Sequence, residues 1–125
     1  MTDYRKKSVI YTFGFLHPSR NITERTHPLK RNKQKNKFMN DVAMEIKAQG
    51  LVKFEGQVKI FVDLCFKNKL RRDIDNYSPK WLLDALVKSE VILDDNKNII
   101  PESPSLMMFD NEPEAEMVIK IEEIV

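Results

Sequence analysis

From Val58 to Phe66 the apolar residues Val58, Ile60, Val62, Leu64 and Phe66 alternate with Lys59, Phe61, Asp63 and Cys65. Period two sends successive side chains to opposite faces of an extended chain, so this stretch predicts a strand with one face in the core and the other half-buried. A similar alternation, Met117, Ile119 and Ile121 against Lys120 and Glu122, predicts a strand over 115–123, and a shorter one is expected over 105–109. SVIYTFGF (8–15) is rich in β-branched and aromatic residues and predicts a first strand, ended by the breakers in LHPSRN. The period then becomes helical: Phe38, Val42 and Ile46 fall four apart with Ala43 beside them, predicting a helix that Gly50 stops. A second helix is predicted through PKWLLDALVKSE (79–90), with Trp81, Leu82, Ala85 and Leu86 on its apolar side, Ser78 as N-cap and Pro79 in the first turn. VILDD then runs into a polar turn at Asn96–Asn98. Residues 20–37 fit neither period; poor in apolar residues and rich in Lys and Arg, they predict a long, mobile, basic loop. The order is β-α-β-α-β-β, an α+β fold with a mixed sheet and two helices, in one domain over 1–125 without repeat or linker.

Charge changes this picture. The net charge is only +2, but residues 1–40 carry ten Lys/Arg against two Asp/Glu, and residues 73–125 carry four against thirteen. A basic front half suits a polyanion; an acidic back half would repel it unless some carboxylates hold cations. No stretch approaches the roughly 18 apolar residues of a membrane span, so no membrane association is expected. Basic residues precede the first apolar run, as in a leader peptide, but that run is short, contains Thr and Gly, and meets His17-Pro18 rather than small residues; it reads as a strand. A single cysteine, Cys65, builds neither a disulfide framework nor a cysteine metal site, which fits a reducing, cytoplasmic setting.

The chemistry concentrates in KNKLRRDIDNYSPKWLLDALVKSEVILDD (67–95). Asp73 and Asp75 are two apart, just beyond a strand. If the backbone stays extended, both carboxylates point the same way, roughly 7 Å apart, and can converge on one cation. A helix and a return segment would bring the Asp94-Asp95 pair back toward them. Mg²⁺ takes such oxygen ligands and completes its shell with water and phosphate. Each acid also has an ordinary structural reading, as helix cap, dipole partner or solvated turn. What favours chemistry is the run Lys67, Lys69, Arg71 and Arg72 directly against the acids, since phosphodiester hydrolysis needs carboxylates for a metal and cations for flanking phosphates.

Arg-Arg-Asp-Ile-Asp-Asn, then a Lys, then Leu-Leu-Asp-Ala-Leu, then Val-Ile-Leu-Asp-Asp resembles the RusA family of Holliday junction resolvases, over residues 71 to 100 in particular. The resemblance implies a homodimeric, Mg²⁺-dependent endonuclease, with Mn²⁺ as a substitute, that makes paired nicks across a four-way DNA junction. It places metal ligands at Asp73, Asp75 and Asp95, and a catalytic lysine at Lys80. The spacing from Asp75 to Asp84 is one residue longer than the family pattern, with Ser78-Pro79 in the extra space, and the turn after Asp95 is longer too. Lys80 therefore keeps a second reading, as a surface lysine paired with Asp84 four residues on.

Arg20, Arg25, Lys33 and Lys35 are further candidates for phosphate contact. Trp81 and Phe61 fit the core or a dimer interface better than base stacking, and two histidines, His17 and His27, are too few for a zinc site. Two alternatives remain open: a non-catalytic branched-DNA-binding protein, such as a decayed phage-derived copy, and a nuclease for flaps or other branched forms.

Overall fold

The computed structural model describes residues 6–125; the N-terminal residues 1–5 lie outside it. The elements are β1 (Ser8–Phe13), α1 (Arg20–Arg25), α2 (Pro28–Gln49), β2 (Val58–Cys65), a 3₁₀ turn (Ile74–Asn76), α3 (Lys80–Lys88), β3 (Ser105–Phe109) and β4 (Glu116–Glu123). The four strands form one mixed sheet in the order β1-β4-β2-β3, and only the β2–β3 pair is parallel. Parallel neighbours need a crossover connection. Here it holds the 3₁₀ turn and α3, so the acidic motif lies on the path between two adjacent strands.

The expected alternation decides which face the helices cover. Val58, Ile60, Val62 and Leu64 of β2 line up with Met117, Ile119 and Ile121 of β4 and with Tyr11 and Phe13 of β1, and all are buried. Phe38, Val42 and Ile46 of α2 and Trp81, Leu82, Ala85 and Leu86 of α3 complete this core. Tyr11 shows how a polar atom survives in it: its hydroxyl donates to the Gly50 carbonyl at 2.7 Å and accepts from the Val52 amide at 3.0 Å. Gly50 ends α2 with φ at 109°, a region that glycine enters without steric penalty. Among the described residues no helix covers the other sheet face. Phe61, Asp63, Cys65 and Val118 are half-buried there, and Ile10 and Met107 are exposed.

α3 closes in a Schellman motif. The Val91 amide donates to Leu86 O at 2.9 Å and the Glu90 amide to Val87 O at 3.0 Å, with Val91 packed in the core beside Leu86. The motif requires a left-handed residue, and Glu90 supplies it at φ 65° without being glycine.

Several sequence expectations need correction. Residues 20–37 are not a loop: they form α1 and the first half of α2, so the described residues hold three α-helices rather than two. Ser19 caps α1 by accepting from the Ile22 amide, and His27 caps α2 by accepting from the Leu29 amide at 3.2 Å, with Pro28 in the first turn. The first ten residues of α2 bury nothing, which is why they show no apolar period. Their Lys, Arg and Gln content favours helix, and the packed half supplies the nucleus. The backbone also does not stay extended from Asp73 to Asp75: residues 74–76 form the 3₁₀ turn, in which the Asn76 amide donates to Asp73 O at 3.0 Å. Finally, α3 begins at Lys80, after Ser78 and Pro79, and Pro79 at its N-cap offers no side-chain bond.

Candidate nuclease site

Asp73 stands at the N-cap of the 3₁₀ turn beyond β2 and Asp75 within it, and both are exposed. They line a polar cleft of about 220 Å³ with Asn76 and with Arg20, Asn21 and Glu24 of α1. The Asn21 amide donates to Asn76 Oδ1 at 3.0 Å, which fixes α1 against the turn. Arg20 pairs with Glu24 at 3.2 Å on the wall of the cleft. Sequence reasoning marks Arg20, but Asn21 and Glu24 escape it, because only the fold of the supposed loop brings α1 to the carboxylates.

A second group of charges lies on α3. Lys80 is the first residue of that helix, as expected once the extra residue is absorbed before it. Its ammonium reaches Asp95 Oδ2 at 2.9 Å and Asp84 Oδ1 at 3.1 Å, so the pairing with Asp84 is present together with a contact to a predicted ligand. Lys35 of α2 reaches the other oxygen of Asp84 at 2.7 Å, giving a chain Lys35–Asp84–Lys80–Asp95. The hydrogen bond from Lys80 holds the Asp95 carboxyl below the usual carboxylate range, and Asp95 and Asp84 raise the Lys80 ammonium in turn. Asp94 turns away from this group; its carboxylate accepts from the Asp95 amide at 2.7 Å and the Asn96 side chain at 3.0 Å, stabilising the local turn.

The structure thus pairs Asp73 with Asp75 and Asp95 with Lys80. Among the described residues no three acidic, histidine or cysteine side chains gather closely enough to hold one cation. The 3₁₀ turn alters the spacing expected of an extended chain, and Lys80 occupies Asp95. The donor set nonetheless suits a hard cation, since Asp73, Asp75 and Asp95 offer only oxygens and the cleft beside the first two is lined by polar side chains alone.

The basic candidates divide by environment. Lys67, Lys69 and Lys33 are exposed, as are Arg25 and Arg71, the last with its Nε 3.9 Å from Asp73. Arg72 is turned inward, its side chain 14% exposed. It stacks on Phe66 at 3.8 Å and pairs with Asp110 at 3.3 Å, bracing the loop that carries Asp73.

The family model described as endodeoxyribonuclease RusA matches residues 18–122, which span α1, the acidic motif, Lys80, Asp95 and nearly all of β4. The chain belongs to the RusA family. Comparison with curated proteins finds no significant match. RusA membership identifies a nuclease family and implies Holliday junction resolvase activity and binding of branched DNA. Among the described residues no helix is long and apolar enough to cross a membrane.

Proposed function

We propose that this RusA-family protein is a Mg²⁺-dependent resolvase that cuts four-way DNA junctions by paired nicks in recombination and repair, acting as a homodimer in the cytoplasm. The observation that carries the reading is the RusA match across both charged groups of the site. Asp73, Asp75 and Asp95 would hold the metal. Once bound, Mg²⁺ supplies a water of lowered pKa and neutralises charge on the leaving oxygen. Lys80 would act at the scissile phosphate as a fixed positive charge, oriented by Asp84 and released from Asp95 when that carboxylate takes up its ligand role. Lys67, Lys69, Arg71 and the exposed cations Arg25 and Lys33 would meet flanking phosphates, with Arg20 at the cleft wall. Arg72 and Lys35, both paired within the fold, would contribute to DNA contact chiefly by holding the surface in place.

Two-fold symmetry suits a substrate with two equivalent strands, and the open sheet face is the surface that would meet its copy in such a dimer. Phe61 there carries the ammonium groups of Lys59 and Lys120 at 5.3 and 5.9 Å from its ring, with Ile10, Val118 and Met107 around it. The test is cleavage of a labelled four-way junction, a flap and a linear duplex, each with and without Mg²⁺. The junction should be nicked in pairs, only with metal, and Asp73→Asn should abolish nicking while junction binding is retained or strengthened. Preferential flap cleavage would point to a different branched substrate, and full activity in Asp73→Asn would overturn the assignment of the site.

A further inference from the structure

His17 lies in the connection between β1 and α1 and is 6% exposed, far more enclosed than His27, the protein's other histidine. Its Nδ1 is 2.9 Å from the Pro18 carbonyl, which can only accept, so that nitrogen carries the proton. Nε2 is then a lone-pair acceptor, and it takes the Trp81 amide at 3.1 Å. Trp81 is the second residue of α3, where the amides have no partner within the helix and Pro79 supplies none from its side chain. A histidine 64 residues away in the chain therefore caps this helix. The ring is held at its angle by Phe38, edge-on at 5.1 Å, and by Trp81 at 5.8 Å.

The same segment continues to the other half of the site. Ser19, two residues on and also buried, caps α1, and α1 grips the 3₁₀ turn through the Asn21 amide and Asn76 Oδ1. Two hydrogen bonds joined by the short backbone of residues 17–21 thus tie the first turn of α3, through His17 and α1, to the turn bearing Asp75. Lys80 starts one end and Asp75 sits at the other.

We propose that His17 is a positioning residue, which sets Lys80 at the start of α3 relative to the Asp73–Asp75 turn by capping α3 from the segment that anchors α1. This rests on the nuclease reading of those residues. A core histidine serving stability alone would affect folding without this selective effect on chemistry.

Two polar replacements separate the ring's two bonds. In His17→Gln the side-chain oxygen can reach the place of Nε2 and keep the cap on Trp81; in His17→Asn the shorter amide can replace only the bond to Pro18. With junction DNA and Mg²⁺ saturating, His17→Asn should slow single-turnover cleavage roughly ten- to hundredfold, the range expected when a reacting group moves by an ångström or less. Junction affinity should stay within about threefold of the parent, and His17→Gln should recover most of the rate. Hydrogen exchange on the protein without DNA gives an independent readout: the Trp81 and Asn21 amides should both exchange faster in His17→Asn and both regain protection in His17→Gln. If His17→Asn cleaves at the parental rate while melting at a lower temperature, or if only the Trp81 amide loses protection, the positioning role is overturned. If the parent itself cuts no branched DNA, the nuclease reading fails, and the paired amide protection alone decides whether His17 links α3 to α1.

Discussion

Replacing Lys80 with alanine should move stability, rate and metal affinity by different amounts. The side chain is 62% exposed and makes two ion pairs, at 2.9 and 3.1 Å. Exposed pairs of this kind contribute about 0–1 kcal/mol each. Asp84 also keeps Lys35 at 2.7 Å, so no carboxylate is stranded in the core. The loss of stability should therefore remain near or below about 1 kcal/mol, a fall in melting temperature of no more than about 5 °C. The effect on cleavage should be much larger, because one charge aimed at a developing anion is worth about 10²–10³ in rate. Metal affinity should move the other way. With Asp95 as a ligand, Lys80 would compete with the cation for it, and without Lys80 less Mg²⁺ should be needed for half-saturation. The assay is single-turnover cleavage of a labelled junction across a Mg²⁺ titration, with thermal melts in parallel. A rate within about threefold of the parent at saturating metal, together with an unshifted titration, would refute the reasoning and leave Lys80 as a surface lysine.

Glu90→Gly should stabilise the fold by about 1 kcal/mol, because glycine adopts the left-handed C-terminal position of α3 without strain; only the exposed pair with Lys53 is lost, and a lower melting temperature would contradict this. Phe61→Glu puts a carboxylate between Lys59 and Lys120 on the open sheet face, so light scattering should report a monomer whose fold is intact, and a persistent dimer would exclude that face as the interface. Burial holds the His17 imidazole below its usual pKa of 6.5. Its contribution to stability is then fully present above pH 6.5 and lost as pH falls through the folded value, so the melting temperature should drop more on acidification in the parent than in His17→Gln.

What was legible in the sequence was what packs. The alternation in β2 and β4 and the four-residue period through Phe38, Val42 and Ile46 follow directly from burial on one face, and the structure places each where it was expected. The first half of α2 is illegible for the same reason, since a helical stretch that buries no apolar side chain leaves no apolar period to read. The adjoining α1, with its cleft residues Asn21 and Glu24, is hidden with it. Asp73, Asp75, Lys80 and Asp95 could be named because they stand in one short motif. The bond from Lys80 to Asp95 spans 15 residues and the one from Trp81 to His17 spans 64; neither leaves a local signature. Arg72 looked like its neighbour Arg71, and only the presence of Phe66 and Asp110 beside it shows that it faces inward.

The first half of α2, helical without a buried apolar side chain, has a consequence for how binding energy is used. Residues 28–37 form about 15 Å of helix at 1.5 Å per residue, and they carry Lys30, Arg31, Lys33, Lys35 and Lys37. As a flexible tether, such a segment would lose roughly 1–2 kcal/mol of backbone entropy for each residue immobilised on a partner. Built as a rod continuous with the core, it has already lost that freedom during folding. Lys35 and Lys37 are held by Asp84 and Asp41, and the exposed cations Lys30 and Lys33 would meet a polyanion at a fixed separation, with little ordering to oppose the attraction they generate. The same rigidity would narrow tolerance: a backbone whose phosphates follow a different curve could not be met by local adjustment, so such a rod would discriminate by shape as well as by charge.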